Sequence, residues 1–293
     1  MSTSSTISSI RVSAPRNRRA YKALYLARKN PLLVIGALVV IIWVAAAALA
    51  PSLATYGILA QNVGDRLQAP SAAHYWGTDE LGRDIYSRVL YGGRITIPAG
   101  IAVIVIGSLI GTAIGAVAGF VGGVWDETIM RVTELFMAFP TIILAMAVTA
   151  ALGPDIRNAI IALVVVWWPS YARVVRGLVI REKLTEYVEA ARCVGASGPY
   201  ILVRTILPNC LAPTIVLTTL DIGNAVLTFA GLSFLGLGPE PTSPEWGRMV
   251  SVGIDYFDQW WTWLFPGLAI AGLVIAFNFI GDGLRDIFDP RMR

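Results

Sequence analysis

Apolar residues in this chain gather into long uncharged runs separated by short charged segments. A hydrocarbon core about 30 Å thick needs roughly 20 such residues, each advancing about 1.5 Å along a helix. Six runs approach that length: Leu32–Ala50, the stretch from Arg94 to Asp126, that from Glu134 to Asp155, Asn158–Ala172, about Leu211–Leu235, and Gln259–Gly281. The pattern predicts an all-α membrane protein with six transmembrane helices. The first run ends in Ala48-Leu49-Ala50, which also suits signal-peptide cleavage. Its basic leader is long for that, so it reads as an uncleaved helix. The fourth run has only 15 uncharged residues; it spans if Arg173 and Arg176 lay their stems along the helix and reach the inner surface. Pro140 is a candidate kink in the third. Trp260, Trp261 and Trp263 open the sixth as an interfacial belt.

Composition excludes the soluble alternative. Charged residues make up 14% and hydrophobic residues 56% of the 293, whereas a soluble domain carries about 25% charge. Mean hydropathy is +0.66. The same figures exclude disordered, collagen-like and disulfide-scaffold chains. Two cysteines, Cys193 and Cys210, suggest packing residues. One histidine, His74, lies beside Tyr75 and Trp76 and is expected at the membrane interface; it makes a metal site improbable. The net charge of +4 does not point to nucleic acid. Arg11, Arg16, Arg18, Arg19, Lys22, Arg28 and Lys29 precede the first run with no acid among them, a leader attracted to anionic lipid. Six crossings with the N-terminus inside put 17 Arg and Lys in cytoplasmic segments and six outside. That asymmetry predicts both termini in the cytoplasm.

Polar and small residues inside the runs supply the candidate sites. Gly107, Gly111, Gly115, Gly119 and Gly123 recur every four residues, a stripe that lets another helix approach closely. It reads first as tight packing and second as a sliding contact. Asp221 lies within the fifth run, where an ionised carboxylate costs several kcal/mol unless paired or wetted. It either lines a translocation cavity, with Asn224 beside it, or bonds Asn224 or a neighbouring helix. Glu134 stands three residues from Arg131, a structural pair. Thr78–Leu90 reads as an amphipathic helix capped by Thr78, with Asp79–Arg83 and Asp84–Arg88 pairs four apart. That helix is either self-satisfied or a docking surface for an external delivery protein.

The segment Arg181–Pro208, on the predicted inner side, is the most specific. Arg181 to Arg192 alternates charged and small apolar residues at helical spacing, with Lys183–Glu186 and Glu189–Arg192 as compatible pairs. Gly195 can stop that helix in the left-handed conformation. Ser197-Gly198-Pro199 makes a turn, and Tyr200–Leu207 starts a second short helix. Such an elbow, joined directly to a span, can carry a push from a soluble partner into the membrane.

Glu189-Ala190-Ala191, Gly195 four residues on, and Leu207-Pro208 resemble the EAA loop of ABC-importer permeases. Thr205 stands where that pattern has isoleucine, with Ile206 one place later. Gly77-Thr78-Asp79-Glu80-Leu81-Gly82-Arg83-Asp84 resembles the loop after the first span in C-type subunits of dipeptide and oligopeptide permeases. Leu232–Gly238 with Pro244-Glu245-Trp246-Gly247 resembles their fifth-span exit. Many relatives carry a glutamate where Phe229 stands, so no role of that acid transfers. The resemblance runs from about residue 20 to the C-terminus and implies the type I ABC importer transmembrane fold. Residues 1–97 would form a cytoplasmic segment, first helix and outer loop, and 98–287 a transmembrane domain of five helices with the coupling loop at about 181–208. It further implies a bacterial inner-membrane location, a second related permease, two cytoplasmic ATPase subunits and an extracytoplasmic substrate-binding protein. Glu189, Ala190, Ala191, Gly195, Leu207 and Pro208 would then dock on an ATPase. No G-x-x-x-x-G-K-[ST] occurs among only three lysines, so no cofactor is expected in this chain, and ATP and magnesium would sit on the partner ATPases. Related C-type subunits serve dipeptides, longer peptides, nickel chelates and glutathione. A stand-alone channel or secondary transporter is the alternative class; the runs hold few ionisable residues and no repeated broken-helix pair to support it.

Overall fold

Pro31 suits the first turn of a helix, because the N–H it lacks is one that helix starts leave unpaired. The run it opens forms α1 (Pro31–Ala48), which is apolar all round and buries only Gly36 and Ala47, as a helix facing lipid does. The structure, a computed structural model, describes residues 30–288. The basic leader, Arg291 and Arg293 therefore lie outside the described residues. Eight further helices of eight or more residues follow among the described residues: α2 (Ile85–Val121), α3 (Gly123–Met137), α4 (Thr141–Leu152), α5 (Ile156–Lys183), α6 (Glu186–Cys193), α7 (Leu207–Phe234), α8 (Trp246–Ile254) and α9 (Trp261–Phe288). No β-strand occurs among the described residues.

Among the described residues five helices are long and apolar enough to cross a membrane: α1, α2, α5, α9, and α7 together with the turns leading into it from Gly198. The expected third span is not one helix. It is the pair α3 and α4, bent by 88°, and it makes a sixth crossing only as a broken one. Pro140 cannot donate a backbone hydrogen bond and disfavours a helical residue before it. The 12-residue α4 reaches only about 18 Å by itself. Two other spans exceed their expected limits. The second starts at Ile85, so Arg88 and Arg94 lie within it, and the fourth continues through Arg173 and Arg176 to Lys183.

The bundle is built by α2 against α5 and by α7 against α9, with α1 laid on α9. Gly107, Gly111, Gly115 and Gly119 bring α2 onto α5. A Cβ at Gly115 would stand 2.2 Å from the Ala172 carbonyl oxygen, and one at Gly111 would stand 2.4 Å from that of Trp168. The five-glycine stripe is corrected to four: Gly123 opens α3, past the end of α2, with open space around its Cβ position.

At one pole, residues 55–84 fold against α2, α8 and α9. Here the expected helix from Thr78 is replaced by a tight turn. Thr78 and Asp84 form an antiparallel bridge, and Asp79 accepts from the Leu81 and Arg83 amides at 2.9 Å. Asp79 and Arg83 do pair, at 2.6 Å, but across this turn. Asp84, not Thr78, caps the following helix, accepting from the Ser87 amide at 2.8 Å. Asp84 is thereby drawn from Arg88 to His74, 3.0 Å away. His74 is only 5% exposed and stacks on Tyr56, so it is a buried member of this cap and not an interfacial residue. Glu245 is fully buried at the start of α8, accepting from the Gly247 and Arg248 amides and from Thr96 at 2.9–3.1 Å. Burial pushes its carboxyl above the usual range against those bonds.

Candidate functional site: the elbow between α5 and α7

At the opposite pole the chain leaves α5, makes the short helix α6, turns, and enters α7. The expected helix Arg181–Arg192 is interrupted. Leu184 and Thr185 separate α5 from α6, and the Thr185 hydroxyl folds back on the Glu182 carbonyl at 2.6 Å. The Lys183–Glu186 and Glu189–Arg192 pairs do not form among the described residues. Lys183 instead donates to the Phe120 carbonyl at 2.6 Å, satisfying an orphan acceptor at the C-terminal end of α2. Glu182 accepts from Tyr187 at 2.6 Å, and Asn209 donates to the Tyr187 hydroxyl at 3.0 Å. Desolvation and the Glu182 carboxylate push the Tyr187 phenol up, keeping its proton in this link from α5 through α6 to α7.

Gly195 adopts φ +82°. Its amide bonds the Arg192 carbonyl at 2.9 Å and the Ala196 amide bonds that of Ala191 at 3.1 Å, the paired bonds of a Schellman helix end. No atom crowds a Cβ placed there, so the backbone angle alone asks for glycine. The second helix does not stand alone. Residues 198–200 run through a wide π-helical turn, Ile201–Ile206, straight into α7. Pro208 occupies the first turn of α7, where its missing N–H does no harm.

Burial divides the elbow into two faces. Val188 is fully buried in a cluster with Val179, Ile201, Ile206 and Cys210, and Ala191 and Leu207 pack half-buried against it. The core position is thus Ile206, with Thr205 only half-buried. Glu189, Ala190, Gly195 and Pro208 are exposed. Leu184 and Val194 flank α6 with 79% and 84% of their surface uncovered. Cys193 is exposed too, unlike buried Cys210, which corrects its reading as a packing residue. An exposed face carrying apolar ends, backed by a cluster shared with two long helices, can transmit a displacement.

Two polar contacts lie between this elbow and the middle of the bundle. Arg176 on α5 forks onto Asp126 on α3 at 2.5 and 2.6 Å, tying the broken span to the helix that carries the elbow. Tyr171 on α5 donates to Asp221 on α7 at 2.8 Å. Asp221 is half-buried, and Asn224, three residues on, is exposed. Phe229 is fully buried. Arg131 and Glu134 pair at 3.4 Å. Sequence reasoning missed the Arg176–Asp126 contact and left the helix partner of Asp221 unnamed, because each pair lies 50 residues apart and no local spacing announces it.

Residues 111–293 match the family model described as the binding-protein-dependent transport system inner membrane component. Residues 23–70 match the N-terminal transmembrane domain of oligopeptide transport permease C. The chain is 42% identical over 277 residues to the dipeptide transport system permease protein DppC of Alkalihalophilus pseudofirmus, covering 94% of this chain and 90% of that one. It is 42% identical over 271 residues to the probable D,D-dipeptide transport system permease protein DdpC of Escherichia coli, covering 92% and 91%. Identity to the glutathione transport system permease protein GsiD of Pectobacterium atrosepticum is 44% over 231 residues, covering 78% and 77%. The helical bundle, its apolar spans and a family match over more than half its length place this chain in the binding-protein-dependent inner-membrane component family, the permeases of type I ABC importers, as a multi-pass protein of the bacterial inner membrane.

Proposed function

We propose that this chain is a permease subunit of an ATP-driven importer of dipeptides or oligopeptides, forming half of the translocation pathway beside a second related permease. Two cytoplasmic ATPase subunits bind ATP and magnesium, and an extracytoplasmic binding protein delivers the peptide. The observation that carries this reading is the two-faced elbow. Its exposed face, with Glu189, Ala190 and the Gly195 turn, meets the ATPase. Its buried face, through Val188, Ala191, Ile206 and Leu207, moves α5 and α7 together. The basic-residue asymmetry orients that face to the cytoplasm and the His74–Glu245 pole outward. The cargo follows from the relatives, whose names cite dipeptides, D,D-dipeptides and glutathione. All of these are short chains with a free amino group and a free carboxylate. The assembly, purified through a tag on this chain and reconstituted with the binding protein, should hydrolyse ATP faster when a dipeptide is added. A chain that retains no ATPase through purification, or whose uptake ignores ATP, would contradict the reading.

In this reading Asp221 and Asn224 line the pathway. Tyr171 holds the Asp221 carboxylate from one side, and the charge left facing the pathway would attract a cationic side chain of the peptide. Asp221→Asn keeps the acceptor for Tyr171 and removes the charge. Uptake of lysine-containing peptides should fall about tenfold, as loss of about 1.4 kcal/mol implies, while uptake of neutral peptides changes little. Equal losses for both, normalised to assembled complex, would assign Asp221 to packing.

A further inference from the structure

The outward pole holds a small cavity where the Asp79–Arg88 segment meets α8. Its volume is about 20 Å³ and its charged lining is Asp79, Glu80, Arg83, Arg88 and Arg248. That volume suits one water-sized occupant. The rest of the wall is largely apolar, with Ile85, Met249 and Val252 among its residues.

The hydrogen bonds around the cavity leave two charged donors over. Arg83 is spent on Asp79 at 2.6 Å and on Glu80 at 2.7 Å. Arg88, only 3% exposed, gives its terminal nitrogens to the Ser243 and Thr242 carbonyls at 3.1 and 3.4 Å. Its Nε stands 3.6 Å from Asp79 Oδ2, beyond a hydrogen bond. The buried Nε of Arg248 likewise has no acceptor among the described residues. A buried donor on a charged group is costly to leave unmade, by about 1–3 kcal/mol or more. Three guanidinium groups against two carboxylates leave the lining with an excess of one positive charge.

We propose that this cavity binds one small monovalent anion of chloride size, accepting from the Nε–H groups of Arg88 and Arg248. A water could accept both bonds, with Glu80 or the Thr262 oxygen taking its hydrogens, but it would leave the positive excess of the lining uncompensated. A halide asks for donors only and tolerates apolar neighbours. It also supplies the missing negative charge. Burial, helped by neighbouring Asp79, pushes the Glu80 carboxyl up, which adds to the positive excess as pH falls. The ion would pin the Asp79–Arg88 turn to α8, independently of what the transporter carries.

The test uses the complete transporter at constant ionic strength, heated in sodium chloride, bromide or gluconate. The chain carries Cys193→Ser, so that buried Cys210 alone reports its unfolding by reacting with a thiol dye resolved on a gel. Chloride and bromide should raise the midpoint over gluconate by about 5 °C once saturating. Arg248→Gln should remove that rise, and Arg131→Gln, at an exposed position of the opposite pole, should keep it. Equal midpoints in halide and gluconate, or the same rise in Arg248→Gln as in the parent, would overturn the proposal. Where Arg248→Gln fails to assemble, crystals grown in bromide decide. An anomalous peak between Arg88 and Arg248 supports the ion, and its absence rejects it.

Discussion

Gly195→Val should leave the chain in the membrane at its normal level yet reduce ATP-driven uptake at least about tenfold. The residue sits at φ +82° with no neighbour near its Cβ position, so packing does not oppose a side chain there. The backbone does. An L-residue in the left-handed region costs roughly 1–2 kcal/mol, and a β-branched one is stiffer still. The cheapest relief is to unwind the Schellman end, which frees the Ala191 and Arg192 carbonyls and swings α6 out of line with α7. Asparagine visits this conformation more readily, so Gly195→Asn should recover most of the activity. Peptide-stimulated ATP hydrolysis by the reconstituted assembly reads the effect. Equal stimulation in parent and valine variant would mean that the turn does not transmit.

A single methyl at Gly115 is expected to do what valine at Gly195 does not, and deplete the folded subunit. Its Cβ would lie 2.2 Å from the Ala172 carbonyl oxygen and 2.9 Å from that residue's Cα. These are backbone atoms, which cannot rotate away, so α2 and α5 must separate along the four-glycine contact. Overpacking of this kind costs about 1–3 kcal/mol, and the thermal midpoint of the assembled chain should fall by about 3–10 °C. The same substitution at Gly177, exposed on α5 with no atom within 4 Å, should instead stabilise by up to about 1 kcal/mol through helix propensity. Midpoints that moved together at both positions would refute the close-approach explanation.

Much of this architecture was legible because its causes are local. Uncharged runs mark spans since the bilayer penalises charge all along a crossing. Gly195 could be read because a helix must end somewhere, and glycine ends it at least cost. The errors share a different origin. Asp79 and Arg83 are four apart, which suits one helical turn, but the same spacing also closes the tight turn that forms. His74 finds Asp84 only because the segment folds back on α2, and Arg176 finds Asp126 only across two helices. Pro140 announced a kink, but a local rule does not measure an angle, and the 88° bend depends on how α3 and α4 each pack. Glu245 entered only within a resembling segment, and its burial was not legible, since its side-chain partner Thr96 lies 149 residues earlier.

Reaction of native Cys193 tests the coupling role most directly. The chain has two cysteines, of which Cys193 is exposed at the end of α6 and Cys210 is buried, so an impermeant maleimide reads one position without mutagenesis. In inside-out vesicles stripped of peripheral proteins Cys193 should label rapidly, and adding back the purified ATPase subunits should protect it. In intact right-side-out cells it should stay unlabelled. Labelling from the outside, or labelling that the ATPase subunits leave unchanged, would contradict a cytoplasmic elbow docked on the motor.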